Sequence, residues 1–353
     1  MRSGILFKIM MKRVPKPISG GLILSYKCSA ECRHCIYACS QKWDANWISH
    51  ETLEKILRQL SGKIISSPSG PRTISLNYGL HFTGGEPFLN FELLCKAVEV
   101  AGRFKIPSTF VETNCFWAID DKSTKEKLKL LKKKGLRGIM ISVNPFYVEH
   151  VPFERTERAI KTSLDIFGNN VVVYQLEYYR RFREWGIKGR VPFEDYMKLE
   201  KKEDFLRNIE FLLMGRAPYK LGETLRNIIP TYFAGQLFRQ PCITPFLGPL
   251  HNHFDNFGNY IPGFCGGISF GDCRELDRLL EEGIDTEQYP VLGFLMDNNL
   301  QGLFSLAEEM GYRELQDGYF SKCHLCMDIR KFIMNRRDFK ELQPKEFYLH
   351  LES

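Results

Sequence analysis

The sequence predicts an α/β protein built on a parallel sheet and followed by a smaller, cysteine-containing region. Three observations predict it. Short β-branched runs alternate with amphipathic helical stretches from residue 18 to about residue 180, and strand–helix repeats of that length call for parallel strands joined by right-handed crossovers. The predicted strands end in polar or glycine-rich turns, where α/β proteins collect their ligands. From about residue 180 the alternation fails, and beyond residue 226 cysteines recur among Gly- and Pro-rich turns. At 353 residues the chain has room for one large domain and a smaller appendage.

Residues 1–17 read as a basic, proline-containing arm or short strand (Lys12, Arg13, Pro15, Lys16, Pro17). A first strand at Gly21–Tyr26 leads into a loop carrying Cys28, Cys32 and Cys35. Ser49 caps a helix whose Leu53, Ile56, Leu57 and Leu60 share one face. A strand over 75–83 runs into Gly84-Gly85-Glu86-Pro87. Asn90 caps the next helix, with Leu94, Ala97, Val98 and Ala101 apolar. A strand over 108–112 ends in Thr113-Asn114-Cys115. Ser123 and Glu126 suggest a capping box for a lysine-rich helix ending at Gly135, its lysines a solvated face. A strand over 138–143 ends in Asn144-Pro145, and a helix with Ile160, Leu164 and Phe167 stops at Gly168. A strand over 171–176 follows; the basic cluster Arg180–Arg183 is placed near its end, and 193–214 reads as one long helix.

The loop Cys28-x3-Cys32-x2-Cys35 carries the chemistry. Three thiolates on one short loop converge readily on a metal centre. A closed zinc site or an ordinary iron–sulfur cluster wants four ligands, and the next cysteine, Cys39, is out of step. Three ligands leave one iron open. The triplet resembles the signature of the radical S-adenosylmethionine (radical SAM) enzymes, with His34 where that family has an aromatic residue. GGEP at Gly84, Gly85, Glu86 and Pro87 resembles the same family's SAM-binding turn. A glycine pair lets backbone approach closely, and a carboxylate can receive an ammonium group.

The resemblance implies a curved, partial (β/α)6 TIM-like barrel with a smaller C-terminal domain. It implies a 4Fe-4S cluster on Cys28, Cys32 and Cys35 whose open iron chelates S-adenosyl-L-methionine. Reductive cleavage would give a 5′-deoxyadenosyl radical that abstracts hydrogen from a substrate. Such clusters span about −700 to +450 mV, and this reaction needs the low end, hence a low-potential donor such as ferredoxin or flavodoxin. Thr113, Asn114, Ser142 and Asn144, at strand ends, are placed by the resemblance near SAM or substrate. Sequence assigns no catalytic acid or base. Cys95 reads as core, and Cys115 as a thiol near the pocket mouth.

The second half suggests the boundaries 1–17 arm, 18–225 core and 226–353 auxiliary region. Residues 251–262 read as a hairpin turned at Asp255–Asn259, with Cys265 after it and Cys323-x2-Cys326 further on. This outline resembles the SPASM or twitch extensions of some radical SAM enzymes. Cys265, Cys323 and Cys326 would hold one auxiliary 4Fe-4S cluster, with Cys242 as fourth ligand ahead of Cys273. A zinc site on the same thiolates is the rival, and inert thiols come third. His251, His253 and His324 are further candidate ligands. The favoured reaction is peptide modification or dehydrogenation. The alternatives are a small molecule or cofactor precursor as substrate, and a non-catalytic iron–sulfur or zinc scaffold. An arm this short speaks against a leader-peptide-binding domain.

Composition bounds the remainder. The net charge of +7, from 49 basic and 42 acidic side chains spread widely, gives no warrant for nucleic acid. Residues 1–16 hold only a broken apolar patch, without a signal-peptide cleavage site. Eleven cysteines without a secretory signal point to metal or redox work in a reducing, cytoplasmic setting. No apolar run approaches the 18 or so residues of a membrane span.

Overall fold

The computed structural model describes residues 11–44, 46–201, 204–206, 209, 212–242 and 246–353. Most of the predicted arm lies outside these. Its described end supplies β1 (Met11–Lys12), which pairs antiparallel with β9 (Ile284–Asp285).

The main sheet has the order β6-β5-β4-β3-β2-β7-β8. Its parallel strands are β2 (Ser19–Ile23), β3 (Gly79–Thr83), β4 (Phe110–Thr113), β5 (Gly138–Ser142), β6 (Val171–Tyr174) and β7 (Asn252–Phe254). Only β8 (Tyr260–Ile261) is antiparallel, completing the predicted hairpin with β7. The α/β class and mostly parallel sheet expected from the alternation are therefore present. The sixth parallel strand comes from the second half of the chain and lies beside β2, on the opposite side from β3. Strand ends shift by a few residues: 75–78 is a turn before β3, and 24–26 has left the sheet before the cysteine loop.

Helices cover the outer face. In α1 (His50–Leu60) Ser49 Oγ accepts from Thr52 N at 3.1 Å, and Leu53, Ile56, Leu57 and Leu60 are buried, as the pattern requires. In α2 (Phe91–Arg103) Asn90 is the cap. The lysine-rich α3 (Asp121–Lys134) corrects the expected capping box. Its cap is Asp120, whose carboxylate accepts from Ser123 N, because an acceptor one position before the helix reaches the free N–H groups better than a serine inside its first turn. Gly135, at φ +114°, closes it.

Two helices follow β5: the one-turn α4 (Pro145–Val148) and the 15-residue α5 (Phe153–Phe167), the latter ending at Gly168. Leu164, expected on the apolar face of α5, is half exposed; Ala159, Ile160, Ser163 and Phe167 are the buried side. The basic cluster is not at a strand end. It lies in α6 (Leu176–Glu184), where Arg181 pairs with Glu177 and Glu200, and Arg183 with Glu157. These pairs absorb charge that was open to an anionic substrate. The long helix expected over 193–214 is interrupted: α7 (Phe193–Leu199) ends at an extended Glu200, residues 204–206 are helical again, and part of the expected span lies outside the described residues.

The second half is built from short helical turns α8 (Ala217–Lys220), α9 (Gly222–Arg226) and α10 (Ala234–Leu237), then α11 (Leu276–Glu282), α12 (Pro290–Met296), α13 (Leu300–Glu309), α14 (Lys322–Ile333) and α15 (Glu346–Leu349). It is fastened to the first half through Asp255 in the hairpin turn. That buried carboxylate accepts from Tyr26 Oη at 2.9 Å, from Phe257 N at 3.0 Å and from Asn259 N at 2.8 Å. Tyr26 in turn stacks on Trp43 at 4.2 Å, and Trp43 on His350. No helix among the described residues is long and apolar enough to cross a membrane.

Candidate functional site

Strand β2 delivers the cysteine loop, and β3 delivers the glycine turn beside it. The two are joined backbone to backbone: Gly85 N donates to Ser25 O at 2.8 Å and Glu86 N to Lys27 O at 3.0 Å. Glycine is needed there because a Cβ on Gly85 would overlap Lys27 O and lie 2.8 Å from Cys28 N. Gly84, at φ +125°, would put a Cβ onto Ser25 O. The glycine pair thus brings the loop and turn together.

Glu86 is 1% exposed. Its carboxylate accepts from Phe88 N at 3.1 Å, Asn114 N at 2.8 Å and Thr113 Oγ1 at 3.0 and 3.1 Å. Thr113 Oγ1 itself accepts from Trp117 Nε1 and Cys115 N, so its proton points at Glu86. Burial pushes the Glu86 carboxyl up to about 7, against these three donors. The carboxylate that sequence reading offered to an ammonium is thus largely occupied by its own turn and by the end of β4. Pro87 begins the short 3-10 turn that Glu86 caps.

Asn114, at the end of β4, reaches the cluster loop. Its Nδ2 lies 3.1 Å from Ser29 Oγ and 3.8 Å from Cys28 Sγ, while its Oδ1 accepts from Phe116 N. From β5, Ser142 is buried and Asn144 caps α4, accepting from Phe146 N and Tyr147 N. Asn144 Nδ2 meets His34 Nε2 at 3.2 Å, which makes that nitrogen the acceptor. The His34 ring stacks on Phe146 at 4.5 Å, and burial first, then Arg216, lowers its pKa to about 3. The structure therefore gathers His34, Gly84, Gly85, Glu86, Pro87, Thr113, Asn114 and Asn144 around the loop of Cys28, Cys32 and Cys35.

These three residues fit an iron–sulfur cluster by the company they keep. Backbone N–H groups aim at the sulfurs, Ala30 N at Cys28 Sγ (3.4 Å) and Cys39 N at Cys35 Sγ (3.3 Å). Burial raises the Cys28 and Cys32 thiols. Cys35 is held below the ordinary thiol value, first by a hydrogen bond with Cys39. Cys39, set aside on spacing, is thus a neighbour of the site.

Sequence reading missed Arg216. Its side chain is 0% exposed and wraps the loop. Nη1 donates to Cys32 O (3.0 Å) and Cys39 O (3.2 Å), Nη2 to Ala38 O (2.7 Å), and Nε to His350 O (3.2 Å). Its hydrogen-bond acceptors among the described residues are all carbonyls. A buried cation without a carboxylate needs an anionic neighbour, and a thiolate-bound cluster is one. No local pattern marks this arginine, since it acts across 180 or so positions.

The later cysteines form a second group. Cys242, Cys265, Cys323 and Cys326 line one pocket together with Phe264, Lys322 and Arg330. The first two lie on loops, the last two in the first turn and a half of α14. Cys273 is buried elsewhere, near Asp255. A second buried arginine serves this cavity: Arg330 donates to Gly266 O and Tyr348 Oη and lies against the thiols of Cys326 and Cys265. His324 is turned away, its Nδ1 accepting from Phe320 N. Among the described residues, the set of three or more Cys, His, Asp or Glu ligand atoms lying within 4.8 Å of one another is His81, His251 and His253. No three of these thiols therefore lie mutually within 4.8 Å, where tetrahedral zinc with 2.3 Å Zn–S bonds would set them roughly 3.8 Å apart.

Comparison with known proteins agrees with the first site. Residues 22–144 match the family described as a 4Fe-4S single cluster domain. A curated relative, the "putative peptide biosynthesis protein YydG" of Bacillus subtilis (strain 168), is 25% identical over 142 residues, 40% of this chain. The match spans 39% of that relative's length. Among solved structures, BtrN in complex with AdoMet and 2-DOIA overlaps 82% of this chain and 91% of its own, with 12% identity and a TM-score of 0.41. Native anSMEcpe with bound AdoMet overlaps 91% and 98%, with 13% identity and a TM-score of 0.45. At such scores these overlaps carry no weight for function. The cysteine triplet and the GGEP turn both lie inside the matched 4Fe-4S domain, in agreement with the radical SAM resemblance drawn from them.

Proposed function

We propose that this chain is a radical SAM enzyme that modifies a peptide. The observation that carries it is the backbone junction of Cys28–Cys35 with Gly84–Pro87 at the carboxyl ends of β2 and β3. Cys28, Cys32 and Cys35 would hold the 4Fe-4S cluster. The cluster and SAM, when bound, supply a 5′-deoxyadenosyl radical for hydrogen abstraction. The chain's own residues hold and shield: Arg216 balances charge and fixes the loop carbonyls, the N–H groups of Ala30 and Cys39 face sulfur, and Asn114 ties the loop to β4. The packed rings of His34, Phe146 and Tyr147 keep water from one flank. Thr113, Asn114, Ser142 and Asn144 are proposed to border SAM or substrate.

Cys242, Cys265, Cys323 and Cys326 are proposed to hold one auxiliary 4Fe-4S cluster. Their wide spacing and the buried Arg330 favour it over zinc. A peptide substrate is supported by the relative named for peptide biosynthesis; a small molecule is the alternative. A ferredoxin or flavodoxin would supply electrons. All eleven cysteines are free thiols, which suits the cytoplasm. We read 18–225 as the core and 226–353 as the auxiliary region, with β7 crossing into the core sheet.

The test is anaerobic reconstitution with iron and sulfide, followed by SAM and dithionite. The expected product is 5′-deoxyadenosine, absent for Cys32→Ala; no product from the loaded wild type refutes the reading.

A further inference from the structure

The strands beneath the cluster loop carry a second group of ligands. His81 on β3 and His253 on β7 stand at one level on either side of Gly21 of β2. A Cβ on Gly21 would lie 2.6 Å from His253 Cδ2 and 2.9 Å from its Nε2, and would overlap His81 Nε2. The space these imidazoles share exists because residue 21 has no side chain. His251, two residues before His253, brings a third ring, with centroids 5.0 Å from His81 and 5.3 Å from His253.

The tautomers of two rings are set by backbone. His253 Nδ1 lies 2.8 Å from Gly263 O and His251 Nδ1 3.0 Å from Leu76 O. Both Nδ1 atoms therefore carry the proton, and both Nε2 lone pairs are free. Donation of the far ring N–H to a carbonyl is how proteins orient metal-binding histidines. His81, 2% exposed, has an Nε2 with no hydrogen-bond partner. Glu112 Oε1 approaches that atom at 3.4 Å, while Glu112 Oε2 accepts from Thr83 Oγ1 at 2.6 Å. Phe110 below, and Tyr37 and Phe264 beside it, wall the group.

We propose that His81, His251 and His253 bind one divalent transition ion of the zinc or ferrous class, with the Glu112 carboxylate, 3.4 Å from His81 Nε2, beside it as counter-charge. The ligand atoms of the three histidines lie within 4.8 Å of one another, so a common centre exists within about 2.8 Å of each. Drawing in by less than 1 Å reaches the roughly 2.0–2.1 Å of Zn–N bonds. Three imidazoles suit zinc or iron rather than calcium or magnesium. The site is separate from both cysteine groups and does not depend on the proposed activity.

The experiment uses the full chain with its iron and sulfide restored, incubated with zinc chloride and then passed through a chelating column. Wild type retains one zinc per chain, and zinc-edge X-ray absorption gives nitrogen and oxygen neighbours without sulfur. His253→Ala and His81→Ala lose that zinc while keeping wild-type iron and sulfide; Cys32→Ala keeps it. No retained zinc, zinc bound by sulfur, or zinc kept by folded His253→Ala overturns the proposal. If the histidine variants do not fold, the wild-type zinc count and its neighbours decide alone.

Discussion

Replacing Glu86 with glutamine tests which of two opposed effects governs the turn beside the cluster loop. Three donors favour a carboxylate, while complete burial favours the neutral acid, and the balance puts the group at about 7 against an ordinary 4.5. The sign follows from proton counts: between 4.5 and 7 the folded chain holds a proton that the unfolded chain has lost. This group's stabilisation is thus full below 4.5 and falls as pH rises towards 7. From pH 5 to 7.5 the wild type should lose about 2 kcal/mol that Glu86→Gln does not lose. An unfolding entropy of roughly 2.1 cal/mol/K per residue converts this to about 3 °C in Tm. Glutamine also turns an N–H2 towards Asn114 N, Phe88 N or the Thr113 hydroxyl, a mismatch of about 1–3 kcal/mol at every pH. The melting gap between wild type and variant should therefore narrow by about 3 °C from pH 5 to 7.5, read by thermal scans of the cluster-loaded chains. A gap independent of pH would mean that the donors win and Glu86 is ionised throughout.

Two further changes probe the same junction. Gly85→Ala places a methyl against Lys27 O and Cys28 N; it should cost about 1–3 kcal/mol as overpacking and remove roughly one cluster's iron, counted per chain by colorimetric assay. Arg216→Met strands the carbonyls of Cys32, Ala38, Cys39 and His350. It should cost about 3–5 kcal/mol, like removal of any buried charged partner, or roughly 4–7 °C in Tm; an unchanged melting point with full iron would refute a structural role for it.

The strand–helix alternation was legible because each unit is local: a β-branched run, a cap, an apolar stripe. The same locality made Cys28, Cys32, Cys35 and GGEP readable, since spacing alone brings their atoms together. Where sequence reading slipped, a distant partner decided. Arg181 and Arg183 find carboxylates from other segments; the cap of α3, Asp120 in place of Ser123, is instead a local shift of three residues. Arg216 reaches the cluster loop from nearly 200 residues away. His81 looks like an unremarkable strand residue until β7 arrives beside Gly21. Helical periodicity could not foresee the end of α7 at Leu199 either, because apolar residues continue past it.

The pairing of β2 with β7 bears on how a newborn chain matures. The bond from His251 N to Ser19 Oγ links positions 232 residues apart. At ribosomal speeds of about 5–20 residues per second, β2 waits on the order of tens of seconds for its neighbour. Through that interval its outer edge is an open template for stray strands, and loops of this span close slowly. The cysteine loop emerges early, but the floor beneath it is completed late. A fragment ending near residue 225 would leave β2 with a bare flank.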